Sequence, residues 1–305
     1  MKAVQFDHYG GVDVLEAREV PAPSAPPGGL VVAVKAAAVN PGEIWIREGA
    51  FAERWPTSFP CGEGSDLAGL VVELGPGTTS FSVGDAVCGW TDARASHAER
   101  VAVPAVQVTS KPEGVPWEVA GSLYVAPLAA YASVAAVSPS AGEIVVVSAA
   151  AGGVGCVAVQ LARRAGATVI GLASERHHGW LRAHGVLPVP YGDGQAERIL
   201  RAAGRVPDAF VDTFGDGYPE LAVELGVPRN RINTIADDMP VERLGIRAEG
   251  TQSVARIEVV RELAELVAGG ELEIPIARTF PLVAVRDAYR ELAKRRTRGK
   301  IVLVP

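Results

Sequence analysis

The stretch VVVSAAAGGVG, Val145–Gly155, limits what this chain can fold into more than any other. An apolar β-branched run enters a loop of small residues, and the loop opens a helix-like segment, VGCVAVQLARRAG. The spacing Ala150-x-Gly152-x-x-Gly155 is the dinucleotide fingerprint with Ala in place of the first Gly. Small residues are needed there because a pyrophosphate must lie against bare backbone N–H groups at the positive end of a helix, and Cβ atoms would hold it away. Ala150, Gly152, Gly153, Val154 and Gly155 are therefore the candidate cofactor-binding residues. A second strand-like run, ATVIGLAS, follows at the distance a βαβ unit requires. The competing reading is that Gly and Ala only allow close helix–sheet packing.

The end of that second strand chooses the cofactor. An acid there would take the ribose 2′-hydroxyl of NAD, whereas the 2′-phosphate of NADP needs cations and hydroxyls. The segment reads Ala173-Ser174-Glu175-Arg176-His177-His178. Glu175 keeps NAD open. Ser174 and Arg176 suit a phosphate better, since a guanidinium matches its oxygens bidentately. NADPH is the expected cofactor.

Around this unit the 305 residues divide by texture. Up to about Pro112 the signals are short strands and turns: Leu30–Val39, Leu67–Gly75, Val83–Trp90 and Ala98–Val108, the pattern of a compact β-barrel. Beyond it, strand-like runs (Ile144–Val147, Thr168–Leu172, Ala209–Thr213) alternate with helix-like ones, as in a parallel sheet covered by helices. Late in the chain Ile257, Val260, Leu263 and Val267 mark a helix closed by Gly269-Gly270. Another, around Val285, Tyr289 and Leu292, leads to a final strand, Ile301–Val304, whose docking the pattern leaves open.

Charge and cysteine usage remove several function classes. Lys+Arg 29 against Asp+Glu 35 leaves a net charge of −6, unsuited to sequence-independent nucleic-acid binding. Cys61, Cys88 and Cys156 are odd in number and far apart, which fits a reducing cytoplasm and no disulfide scaffold. Asp7 and His8 interrupt the N-terminus too early for a signal peptide. No charge falls between Glu118 and Glu143, a span above the ~20 residues of a membrane helix. Its Ala and Ser content, with Gly121, Pro127, Pro139 and Gly142, reads as a buried helix followed by a turn, so no membrane partner is expected.

Taken together, the residues resemble the zinc-independent quinone oxidoreductase (zeta-crystallin-like) branch of the medium-chain dehydrogenase/reductases. AAAGGVG (Ala149–Gly155) is similar to its cofactor loop and NPGEIWIREG (Asn40–Gly49) to its active-site segment. GSDLAGLVVELGPGTTSFSVGDAV (Gly64–Val87) is similar to its barrel signature, and TRGKIVLVP (Thr297–Pro305) to its closing strand. The resemblance implies an α/β chain: a Rossmann doubly wound parallel sheet over 113–250, plus a GroES-like β-barrel domain from 1–112 and 251–305. It implies that Tyr191, Phe214, Thr234, Ile235 and Ala236 line the cofactor, that a small-molecule substrate binds between the domains, and that the chain pairs as a homodimer. Zinc-dependent relatives carry Cys where Asn40 stands and His where Ser65 stands; catalytic zinc needs about three protein ligands, so no metal is expected. Trp45 replaces a Tyr common in the branch, and Ala129 replaces a Thr.

Reducing an activated C=C bond requires a hydride at one carbon, relief of charge on the carbonyl oxygen and a proton at the other carbon. Asn40 is the candidate amide donor, Tyr124 the candidate proton donor and Trp45 a flat wall for a planar substrate. Each has a plainer alternative: Asn40 as a turn residue before Pro41, Tyr124 and Trp45 as packed aromatics, and water as the proton source. The expected activity is NADPH-dependent hydride transfer to a quinone or α,β-unsaturated carbonyl compound. An enoyl or enone reductase of a biosynthetic pathway and a non-catalytic, crystallin-like NADPH-binding protein are the alternatives. His177, His178 and His184, and the pair Cys61-x-Glu63, lack a tetrahedral ligand set. Arg163-Arg164 and Lys294-Arg295-Arg296 read as helix-end cations rather than nucleic-acid contacts. No Gly-x-Ser-x-Gly elbow is present.

Overall fold

The computed structural model describes residues 1–53, 56–236 and 239–305, with backbone alone at 239 and 240. The chain forms two compact units, Met1–Val125 with Arg256–Pro305, and Ala126–Ala255. Residues 113–125 thus pack with the first unit and 251–255 with the second.

The first unit is organised on the strand Gly29–Ala38, a β-branched run buried along nearly its whole length. It pairs antiparallel with Asp66–Leu74, Arg100–Pro104 and the final strand Lys300–Val304. Gly69 makes the tight approach possible: a Cβ there would lie 2.1 Å from the carbonyl oxygen of Ala33. Leu30, Val32, Val34, Leu67, Val71, Val87, Val101 and Val103 fill the interior.

The tail, whose place the sequence pattern left open, completes this unit. Lys300–Val304 lies beside Gly29–Ala38, with Ile276–Pro281 parallel to its other edge. Phe280, Leu282, Ile301 and Leu303 bury themselves with Val4, Phe6 and Leu15 from the N-terminus. Each such side chain contributes about 1.5–3 kcal/mol. The exposed pair Arg290–Asp13 adds at most about 1 kcal/mol, so apolar burial docks the tail.

The second unit is a five-stranded parallel sheet in the order Leu187–Val189, Thr168–Leu172, Ile144–Val147, Ala209–Asp212, Ile232–Thr234. This 3-2-1-4-5 order is that of a Rossmann sheet, with its switch point at the first strand. Val146, Ile170, Leu172, Phe210 and Ile232 form the apolar core with Ile199, Ala222 and Leu225 from the helices. The charge-free stretch of the sequence becomes the helix Val125–Val137, which buries Leu128, Ala129, Ala130, Val134 and Val137. Among the described residues no helix is long and apolar enough to cross a membrane.

Candidate functional site

In the second unit the predicted cofactor residues lie at or just after C-terminal strand ends, the edge where open α/β sheets bind ligands. The strand Ile144–Val147 is wholly buried. The loop after it turns tightly, with the Gly152 N–H donating to the Ala149 carbonyl at 2.7 Å. Gly155 opens the helix Gly155–Arg164, and no side chain caps that end. A Cβ on Gly155 would lie 2.2 Å from the Ala149 carbonyl oxygen, so only hydrogen fits. Ala150 is fully buried, its N–H bonded to the Leu172 carbonyl, which anchors the loop to the next strand. Its methyl packs toward Gly171, so Ala serves where the fingerprint has Gly. With Gly152, Gly153 and Val154 half-buried at the surface, the result is bare backbone at the positive end of a helix dipole, an anion cradle.

Ser174 and the exposed Arg176 follow the second strand, with the Arg176 Nε 3.1 Å from His177 Nε2. Tyr191, after the third strand, donates its hydroxyl to the Leu172 carbonyl at 3.1 Å and leaves its ring 40% exposed. Phe214 follows the fourth strand and meets Tyr218 edge-on. Tyr191 and Phe214 share a cavity of about 400 Å³ with Gln195, Asp216, Tyr218 and Leu221. Thr234, Ile235 and Ala236 close the fifth strand.

What sequence reasoning missed here is Asp212. It is fully buried at the end of the fourth strand. Its carboxylate accepts from Ser148 Oγ at 2.6 Å, Thr234 Oγ1 at 2.7 Å and the N–H groups of Phe214 and Gly215. One acid thereby ties the ends of the first, fourth and fifth strands together.

The first unit holds its polar groups inside. Asn40 precedes the helix Pro41–Arg47, and the Glu43 carboxylate reaches back to the Asn40 N–H at 2.7 Å, one arm of a capping box. The sequence reading of Asn40 as a donor toward substrate meets a different geometry. Its side chain is 1% exposed, and its Nδ2 donates to Glu43 Oε1 at 3.1 Å and to Asp66 Oδ2 at 2.8 Å. Its Oδ1 accepts from Lys300 Nζ. Tyr124 is likewise a packed aromatic: it is 3% exposed and stacks on Trp90 with centroids 4.6 Å apart. Its N–H and that of Val125 donate to Asp66 Oδ1. Trp45 alone of the three reaches the surface, 40% exposed and edge-on to Phe51.

Beneath Asn40 lies a buried charged lattice. Tyr289 donates its hydroxyl to Glu43 Oε2 at 2.7 Å, Arg47 pairs with Glu63, and the Arg47 guanidinium covers the Tyr289 ring. Burial pushes Glu63 up to about 8 against the pull of Arg47. Asp66 is raised by burial and partly restored by Lys300, and His97 is held below its usual range by burial. Tyr289 is pushed well up by burial and by the charges of Glu43 and Glu63. Cys61-x-Glu63 is thus no ligand pair: Glu63 belongs to Arg47.

Two family models match: the alcohol dehydrogenase GroES-like domain over residues 26–141 and the zinc-binding dehydrogenase over 189–303. The solved quinone oxidoreductase of Coxiella burnetii is 30% identical, covering 100% of this chain and 99% of that one with a TM-score of 0.89. The chain belongs to the quinone oxidoreductase branch of the medium-chain dehydrogenase/reductases. A quinone oxidoreductase of Pseudomonas aeruginosa is 29% identical over 100% of this chain and 99% of its own length. The mycobacterial protein Rv1454c, solved with NADPH, is 25% identical, covering 100% of each chain with a TM-score of 0.87.

One matching model carries zinc in its description, and the residues here do not fit that ion. A lysine ammonium already bonds the side chain at position 40, where a metal's positive charge would have to sit, and position 65 is Ser. Among the described residues, no three His, Cys, Asp or Glu side chains are grouped as metal ligands.

Proposed function

We propose that this quinone oxidoreductase family member uses NADPH to reduce a quinone or an α,β-unsaturated carbonyl compound. The observation that carries the reading is the uncapped helix start at Gly155, where no Cβ fits, after a loop of small residues. That cradle suits a pyrophosphate, and it lies on the same sheet edge as Ser174, Arg176, Tyr191 and Phe214. The NADPH found in the mycobacterial relative supports it.

When bound, the cofactor supplies the hydride. The chain's own residues hold and orient. The loop's backbone N–H groups would hold the linked phosphates, Ser174 and Arg176 would meet the 2′-phosphate, and Thr234, Ile235 and Ala236 would line the cofactor. Trp45 offers a flat apolar face to a planar acceptor. Asn40 and Tyr124 support from within rather than touching substrate.

The test is a titration of the purified protein with NADPH and NADH by nicotinamide fluorescence, followed by NADPH oxidation with duroquinone, menadione and crotonaldehyde. Binding with turnover of at least one acceptor is expected; no fluorescence change at millimolar dinucleotide would overturn the reading. Binding without turnover would favour the non-catalytic alternative. Arg176→Ala should weaken NADPH about tenfold and leave NADH nearly unchanged, a difference of about 1.4 kcal/mol. Equal losses would defeat the phosphate assignment.

A further inference from the structure

Three neighbouring strands bring their ends to one place. Lys300 begins the final strand, Asp66 begins another, and Asn40 follows the strand Gly29–Ala38 that lies between them. A carboxamide is suited to that junction because it donates to acids and accepts from a cation at once. Here Nδ2 faces two carboxylates and Oδ1 faces an ammonium, so the partners themselves fix its orientation. Lys300 also bonds the Val39 carbonyl at 3.1 Å, and Asp66 holds the N–H groups of Tyr124 and Val125 with its other oxygen. The junction therefore sets where the seven-residue helix carrying Trp45 begins.

We propose that Asp66 and Lys300 are positioning residues for hydride transfer, acting through Asn40 to aim the Trp45 helix. The inference rests on the functional reading above and deepens it. The substrate's developing oxygen charge is then met by groups other than the Asn40 amide, whose donors are engaged inside the protein. A shift of about 1 Å in a reacting partner's support is enough for a ~100-fold loss of rate.

The experiment uses the full chain and whichever of duroquinone, menadione or crotonaldehyde the unmodified protein reduces fastest. Asp66→Asn and Lys300→Met should each lower kcat about 100-fold, with NADPH affinity by fluorescence kept within about twofold. Because both act through one amide, the double variant should be no more than about twofold slower than either single variant. Lys300→Arg, which keeps a cationic donor, should recover kcat to within about tenfold of the unmodified chain. A purely structural role would instead lower NADPH binding and active fraction together and leave kcat per active site alone. Unchanged kcat, or losses that multiply in the double variant, would overturn the proposal. Should Asp66→Asn not fold, the Lys300 pair decides, and equal kcat in the Met and Arg variants overturns it. If the unmodified protein turns over no acceptor, the functional reading fails first and this inference with it.

Discussion

The two units solve the same problem, presenting a precise surface, by opposite means. The Rossmann unit builds its cradle from what is left out: Gly152 and Gly153 lie half-buried without side chains, Gly155 has room only for hydrogen, and the deeply buried acid Asp212 is answered by hydroxyls and N–H groups. The barrel unit builds from what is put in, burying Glu43, Glu63 and Asp66 with Arg47 and Lys300. Missing side chains cost no desolvation, whereas every buried charge must be answered by another. The first device therefore tolerates change in stability terms and the second in functional terms only where its partners change together.

The largest effect that sharpens this contrast is Arg47→Ala. It removes a fully buried side chain that bonds Glu63 and covers the Tyr289 ring, and should cost about 3–5 kcal/mol in unfolding free energy, read by chemical denaturation. A loss below about 1 kcal/mol would make the lattice as dispensable as a surface pair. Next is Gly152→Asp. Its Cβ would stand 3.1 Å from the Ala149 carbonyl oxygen, tight but accommodated by a small shift, while the new carboxylate repels phosphate. NADPH affinity should fall at least ~100-fold, about 2.7 kcal/mol, with the unfolding midpoint nearly unchanged. Equal loss of binding and stability would break the comparison, because the loop would then be structural in the same sense as the barrel's charges.

The smallest effect concerns pH. Glu63 has a folded pKa of about 8 against 4.5 for the free group, so the folded chain keeps a proton that the unfolded chain releases. Its contribution to stability is most favourable below about pH 4.5 and declines as pH rises through about 8. His97, depressed by burial, works in the opposite sense: protonation of the unfolded chain lowers stability as pH falls through 6.5. Glu43, Arg47 and Tyr289 face Glu63 throughout. Glu63→Gln should flatten the difference in unfolding free energy across this window, measured against the unmodified chain at each pH. An unaltered slope would mean that the pair is ionised on both sides of neutrality.

The same contrast explains what could be read before folding. The fingerprint is local: three small residues within six positions, between a strand and a helix, already imply their geometry. Ile144–Val147 and Thr168–Leu172 follow from β-branched runs with no polar interruption, and both strands have those bounds. The barrel's lattice joins residues as far apart as Asn40 and Lys300, and no periodicity links positions 260 apart. A faint signal existed in Lys300 and Asp66, charges set directly before apolar strand residues, but such charges more often reach solvent. Asn40 and Tyr124 drew attention through their motif neighbourhood; only the folded contacts show that both face inward. Asp212 was hidden in the same way, as the last residue of a wholly buried strand.

The hydroxyl of Tyr191 resting on the carbonyl of Leu172 has a practical corollary for anyone wishing to retarget this scaffold to a different dinucleotide. That contact couples the loop after the third strand to the root of the Ser174–Arg176 segment. Exchanging only Ser174 and Arg176, the residues proposed to read the phosphate, would leave the aromatic ring in its original pose. Libraries that vary positions 174, 176 and 191 jointly should yield altered preference more often than those confined to the first two.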